Sequence, residues 1–510
     1  VSAPTTTTPL ATTGPLGWVG RVAARLPRPE VLLVWLLVAH VVLKLLIYPL
    51  TMHAPAYNDE QQYYDGARAL SNLLRDVFAF TAPDGAELER NVVASGWFMP
   101  GMAILMTPLF VVLPDAADPL CRAYLGVANF LVLLWAVRSV KKRLGPGYAT
   151  LLVAFPALLP SWVLMSFTAY GDPLSGVVLV VLVAHVVDML RRLRAGEPPA
   201  WKEALQLGLL AIAVLYLRSS TSIVLAALGL VTLVAALVLL RGAARWRALA
   251  AAGLAGVVFL MLLAPWSIAA SRSLEARVVT TTTVPISLAN TFGDREQVCF
   301  GECDPDSFLW FRPLRYAREV ARATGESEVE VEKQMSDYAL RDLDRRDYAR
   351  QTWWNIGSYF LLPANFVRYI APPEGRGPVG MAAQKLIWGA TYAYFIPVLL
   401  LTLLSMLFVQ LRSLEAQILD TLTKLALLAL FVQPFVHVAG SRYWTTAGPL
   451  FILAAAGFLR ELYVRRRHVA PVREHLDGTD AQLSRWLKPL QVALSAVFVG
   501  ALLVVGVMAI

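Results

Sequence analysis

The strongest constraint on this chain is a succession of apolar runs of about 18–22 residues, each long enough to cross a bilayer as a helix. The first, "VLLVWLLVAHVVLKLLIYPL" at 31–50, is too long for the core of a signal peptide and lacks a small-residue cleavage site. It therefore reads as a retained span. Hydropathy adds candidates at 96–113, 119–138, 149–168, 173–190, 204–218, 220–240, 247–268, 382–408, 418–437, 444–460 and 488–509. With 57% hydrophobic and 16% charged residues, the sequence falls outside the soluble globular class. Backbone polar groups in lipid must be satisfied within the chain, so the expected fold is an all-α polytopic membrane protein. Ahead of the first run, residues 1–20 are low in complexity and are expected to be a disordered tail.

Loop charge orders these spans. The net charge of +9 comes from Lys and Arg gathered between apolar runs, the signature of cytoplasmic loops rather than of a nucleic-acid surface. Segments 21–30, 138–145, 191–202, 241–247 and 460–475 should all lie on the cytoplasmic side. They agree only if 96–113, broken by Pro100 and Pro108, does not cross, and it is expected to be an external juxtamembrane or re-entrant piece. The expectation is eleven crossings with the N-terminus cytoplasmic. An N-terminal membrane module (21–268) carries an acidic first external loop (51–95). An external helical subdomain (269–381) and a C-terminal membrane module (382–510) follow. Ser327 and Glu330 suggest a capping box inside that subdomain, and Trp353 and Trp354 an interfacial aromatic stretch.

In this topology five polar stretches face outward: 53–95, 166–172, 218–222, 269–381 and 437–443. The span interiors read as almost uncharged, with no acidic cluster on the inner side, so a site on the outer rim is expected rather than a channel lining. In "YNDEQQYYDGARAL", Asp59 and Glu60 are neighbours that a helix would point about 100° apart. One could take a proton from an attacking hydroxyl while the other orients a neighbour. Tyr63 and Tyr64, close behind them, are candidate substrate contacts. Asp172 in "YGDP" is either an acid suited to a helix start or a site residue. Arg218 lies between two apolar runs, where a cation is costly unless it pairs. His437, Arg442 and Tyr443 form either an interfacial belt or a phosphate clamp, Arg supplying bidentate donors. Of the three cysteines, Cys299 and Cys303 lie close together with no further zinc ligands nearby, and a local disulfide is expected. Nucleotide loops, nucleophile elbows and zinc-protease motifs are missing from the sequence.

The order of these segments resembles a family. The acidic "YNDEQQYYDGARAL" follows the first span, a "DP" opens a later one, and "LRSSTSIVLAALG" comes next. "LLAPWSIAASRSL" then precedes the large loop, and "HVAGSRYWTTAGPLFILAAAGFL" comes near the end. Together, over roughly residues 31–462, they look like the GT-C glycosyltransferases, the protein-mannosyltransferase-like and aminoarabinose-transferase-like group using polyprenyl-phosphate sugars. The sequence departs from the family where "PWSIAASRS" has Ala269 and Ala270 in place of the usual Arg and Asn.

The resemblance implies inverting transfer of a sugar to a glycan, lipid or protein acceptor at the outer face of the cytoplasmic membrane. Asp59 would be the general base with Glu60 as alternative or helper, and Arg218, His437 and Arg442 would face the donor phosphate. No cofactor is required in that scheme, and a divalent metal is not favoured. Two other readings stay open: a lipid or polysaccharide transporter, and an outward-facing polysaccharide polymerase or ligase.

Overall fold

The computed structural model describes residues 27–304, 311–370, 377–410, 413–437, 442–466 and 478–510. The tail 1–20, the centre of the 437–443 stretch and much of the basic stretch 460–475 lie outside the described residues. Among the described residues the regular structure is helical, with no strand. Eight helices are long and apolar enough to cross a membrane, and the chain has the architecture of an all-α, multi-pass membrane protein.

The first helix of the described residues is α1 (Pro29–Thr51), one of these eight. Next come α2 (Asp59–Phe78), short helical turns over 85–93, and α3 (Gly101–Val112), which packs along α2. At 1.5 Å per residue the twelve residues of α3 span about 18 Å, well short of the ~30 Å hydrocarbon core, so this apolar segment is too short to cross as a helix. Then follow α4 (Asp118–Leu144), α5 (Pro146–Ala154) and α6 (Pro160–Met165). The last two are pieces of one interrupted apolar stretch and both pack along α1. The break falls at Pro156 and Pro160, where missing backbone donors stop an α-helix.

The hub is α7 (Asp172–Arg194), whose apolar stretch is 89% buried. It touches α4, α8 (Trp201–Leu217), α9 (Ser222–Leu239), α16 (Leu414–Leu430) and α17 (Trp444–Arg466). Its near-continuous Val and Leu run matches that position, since a helix buried all round has no polar face. The remaining long helices, α10 (Gly242–Ser273), α15 (Gly377–Leu407) and α18 (Gly478–Ala509), are more exposed and surround it.

Between α10 and α15 lies a compact helical unit: α11 (Val284–Phe292), α12 (Phe311–Thr324), α13 (Glu328–Ala339) and α14 (Arg345–Leu361). The Ser327 hydroxyl caps α13 by accepting from Glu330 N at 3.2 Å. Ile286, Ala289, Val331 and Met335 make a small core of their own, joined by the Cys299–Cys303 disulfide and by Trp97 from the first loop. Trp353 and Trp354 stand on the exposed side of α14.

The interior of the bundle is more charged than expected from the sequence. Lys44 is buried in α1, where its ammonium reaches Ser166 Oγ and lies 4.5 Å from the Phe167 ring centre. At the far end from α7's Asp172, Asp420 and Lys424 pair at 2.9 Å one turn apart, and Glu461 is buried nearby. The carboxylates come from α16 and α17 and meet only through packing, which hydropathy along the chain does not reveal.

Candidate functional site

Two close approaches assemble the site. A Cβ on Gly171 would overlap the Leu217 carbonyl oxygen, and one on Gly101 would lie 2.5 Å from the Tyr216 carbonyl. Glycine at both positions lets the N-termini of α7 and α3 meet the C-terminus of α8. Asp172 thereby faces Arg218.

The resulting cavity holds about 630 Å³ and draws on all five polar stretches. Tyr57, Asp59 and Tyr63 come from the first, Tyr170 and Asp172 from the second, and Arg218 to Ser220 from the third. Thr281 and Ser287 belong to the fourth, and His437, Arg442 and Tyr443 to the fifth. A second hollow of about 710 Å³, beyond residues 216–217, is lined mainly by apolar groups such as Leu70, Leu88, Ile104 and Pro265, and it holds none of the expected site residues.

Its centre is a chain of alternating charges. Arg442 donates to Asp59 Oδ2 at 2.5 Å and lies 3.9 Å from Asp172 Oδ2, while Arg218 pairs with Asp172 Oδ1. Both guanidiniums rest on aromatic faces: Arg442 is 4.2 Å from the Tyr170 ring centre and Arg218 is 4.1 Å from that of Tyr443. His437 packs edge-on against Tyr443 at 5.4 Å. The expected phosphate-facing residues are thus in one place, but both arginines are already held by carboxylates.

Asp59 and Glu60 part company. Residues four apart share a face of a helix, so Asp59 pairs with Tyr63 on the cavity side and Glu60 with Tyr64 on the inner side. Glu60 is 0% exposed and bound to Arg122, with Oε2 at 2.9 Å from Nη2. It also accepts from Ala169 N at 2.8 Å and Tyr57 N at 3.1 Å. Tyr64 is buried against Phe110. Neither Glu60 nor Tyr64 lines the cavity, so of the two expected pairs only Asp59 and Tyr63 face it. The physical reason is the helical period, which turns Glu60 and Tyr64 toward Arg122 and the packed interior.

This buried pair shapes the loop before α2. Arg122 donates to the carbonyls of Pro55 at 3.1 Å and Ala54 at 3.3 Å, and the Tyr170 hydroxyl donates to Tyr57 O at 2.7 Å. Burial, with the Glu60 carboxylate next, holds the Tyr170 phenol well above its ordinary range, which keeps it a neutral donor. Asn58 sits at φ 53°, ψ −117°, a conformation costing a non-glycine residue about 1–3 kcal/mol. The surrounding bonds impose it, and it aims Asp59 into the cavity.

Arg122 and the aromatic pair Trp97 and Phe98 were not singled out in the sequence. A lone Arg four residues into an apolar helix was the available signal for Arg122. Among the described residues, no group of three or more His, Cys, Asp or Glu side chains comes together as a metal site would need. No protein-family model matches the sequence, and no curated protein matches it either.

Proposed function

We propose that this protein is a membrane glycosyltransferase that moves a sugar from a polyprenyl-phosphate donor to an acceptor at the outer face of the cytoplasmic membrane, with inversion. The observation that carries this reading is one cavity with a charged centre and an apolar flank. Ile223 on α9 and Val432 just beyond α16 line the cavity yet are 45% and 37% exposed, with Ala429 and Leu430 beside them. Such a flank suits the chain of a lipid, while the arginines suit its phosphate.

Eleven crossings fit this reading: the eight long apolar helices, α5 with α6 as one broken crossing, α8 and α17. The basic ends of α4 and α7 and the arginines that follow α9 lie opposite the cavity, which supports an outward-facing cavity under the positive-inside rule.

In the proposed reaction the acceptor hydroxyl attacks the anomeric carbon from the face opposite the phosphate. The new C–O bond forms as the bond to the phosphate oxygen breaks, and the hydroxyl proton passes to Asp59. Arg218 and Arg442 stabilise the charge developing on the departing phosphate, exchanging part of their hold on Asp172 and Asp59 for it.

The buried Asp420, Lys424 and Glu461 favour a second reading, a transporter, because ionisable groups inside a membrane bundle often mark ion pathways. Purified protein incubated with short-chain polyprenyl-phosphate sugars separates the two. Release of free polyprenyl phosphate that depends on an acceptor is expected. Binding of the lipid phosphate without any release across pentose and hexose donors would overturn the transferase reading.

A further inference from the structure

Resting on that reading, the cavity also carries information about the acceptor. Its ionisable lining residues, Asp59, Asp172, Arg218, His437 and Arg442, cluster at the charged centre. The end toward the helical unit is different. It is lined by Trp97, Phe98 and Tyr63 together with the hydroxyls of Thr281, Thr283 and Ser287.

This end is firmly built. Thr282 donates from its backbone to Gly96 O at 3.1 Å and from its hydroxyl to Ser95 O at 2.7 Å, so segments 95–98 and 280–283 run side by side. Arg318 adds a bond to Ser95 Oγ at 2.7 Å and an ion pair to Glu328 at 3.1 Å. Tyr63 meets the Phe98 ring edge-on at 5.5 Å. Thr281 and Thr283 share a hydrogen bond of 3.1 Å at the start of α11.

Ser287, one turn further along α11, is 1% exposed, and its hydroxyl has no hydrogen-bond partner among the described residues. Asn290, three residues on, is 5% exposed and leaves both of its amide atoms without a hydrogen bond. A buried polar group left without a partner costs about 1–3 kcal/mol, so a ligand that bonds Ser287 from the cavity would recover that cost. The Ser287 hydroxyl lies in the cavity wall itself.

We propose that this end is the acceptor subsite and that its ligand is a neutral saccharide, a sugar ring packed against Trp97 and Phe98 with hydroxyls bonded to Ser287 and the threonines. Aromatic side chains cover the apolar C–H face of a sugar, and neutral hydroxyls match its hydroxyls. An amine acceptor would call for a carboxylate here, and a phosphorylated one for a cation. Among the described residues that line this end there is neither. Asp59 stands where the two halves meet, one helical turn from Tyr63, as a base shared by donor and acceptor requires.

Saturation-transfer NMR on the full-length protein in detergent tests this without needing turnover. The probes are methyl pyranosides and furanosides with their disaccharides, and glucosamine and mannose 6-phosphate as charged controls. The neutral glycosides should receive saturation and the charged controls much less. Ser287→Ala should weaken glycoside binding about two- to tenfold, the scale of one lost hydrogen bond, and leave polyprenyl-phosphate binding unchanged. Trp97→Phe, which keeps an aromatic in the core, should act in the same direction.

Preference for a charged control, or no glycoside binding by protein that binds polyprenyl phosphate, would overturn the proposal. So would a Ser287→Ala effect confined to the lipid. Glycoside binding at this end without any release of polyprenyl phosphate would instead remove the transferase reading and leave the saccharide site standing.

Discussion

At the residue scale, two adjacent carboxylates have been given different surroundings by one helical step of about 100°. Asp59→Asn should cut transfer by at least about a hundredfold, the usual scale for a lost general base, with expression preserved and a smaller fall in melting, since Arg442 keeps Asp172 nearby. Glu60→Gln should do something else. It strands the buried Arg122 charge, a change that typically costs about 3–5 kcal/mol, so the loss should appear in thermal unfolding and yield before it appears in turnover per folded molecule. Assays at matched folded protein distinguish the two, and equal catalytic losses with equal stability would contradict the assignment. The pair itself was legible in the sequence, as was the divergence of its members. Which of them faced inward was not, because the partner that decides it lies 62 residues away.

At the scale of elements, hydropathy located the long apolar helices well, because length and apolar run are local properties. Contacts between helices are not local. Nothing in the sequence distinguished α7 as the hub from the more exposed α10, and the meeting of Asp420 with Glu461 required knowing that α16 packs on α17. Gly171 is the clearest case of a short element boundary with long reach. Its φ of −72° suits any residue, so alanine would bring only the collision with the Leu217 carbonyl. Gly171→Ala should push the start of α7 away from α8, separate Asp172 from Arg218, and lower transfer with a modest fall in melting temperature. Unchanged activity would mean that the Asp172–Arg218 pair tolerates a displaced helix.

At the scale of the molecule, the proposed topology places Asp115 outside and Lys141 in the cytoplasm, at opposite ends of α4. Cysteines introduced at the two positions, Asp115→Cys and Lys141→Cys, should react oppositely with an impermeant thiol reagent in intact cells. Labelling of Lys141→Cys alone would invert the whole arrangement.

The helical unit between α10 and α15 has its own pH response. Burial, then the neighbouring Glu328, pushes the Glu332 carboxyl well above its ordinary value of 4.5, against a weaker opposing contact from Trp97. A folded carboxyl that holds its proton more tightly than the unfolded one confers stability below about 4.5 that is lost as pH rises through the folded value. Glu332→Gln should therefore melt higher than the parent at neutral pH, the gap narrowing as pH falls through the folded value and gone by about 4.5. A gap independent of pH would place the effect elsewhere.

The chain of Asp59, Arg442, Asp172 and Arg218 has two positive and two negative members, so the centre balances its own charge. In the proposed reaction a lipid phosphate enters as a competitor for arginines that are already satisfied. Once Asp59 has taken the acceptor proton it no longer holds Arg442, and the phosphate product gains that hand. When the proton escapes to water, the carboxylate reclaims Arg442 and the product loses it. The same contact that pairs Arg442 with Asp59 would then serve the proposed reaction as its release, turning proton departure into the event that frees the cavity for another cycle.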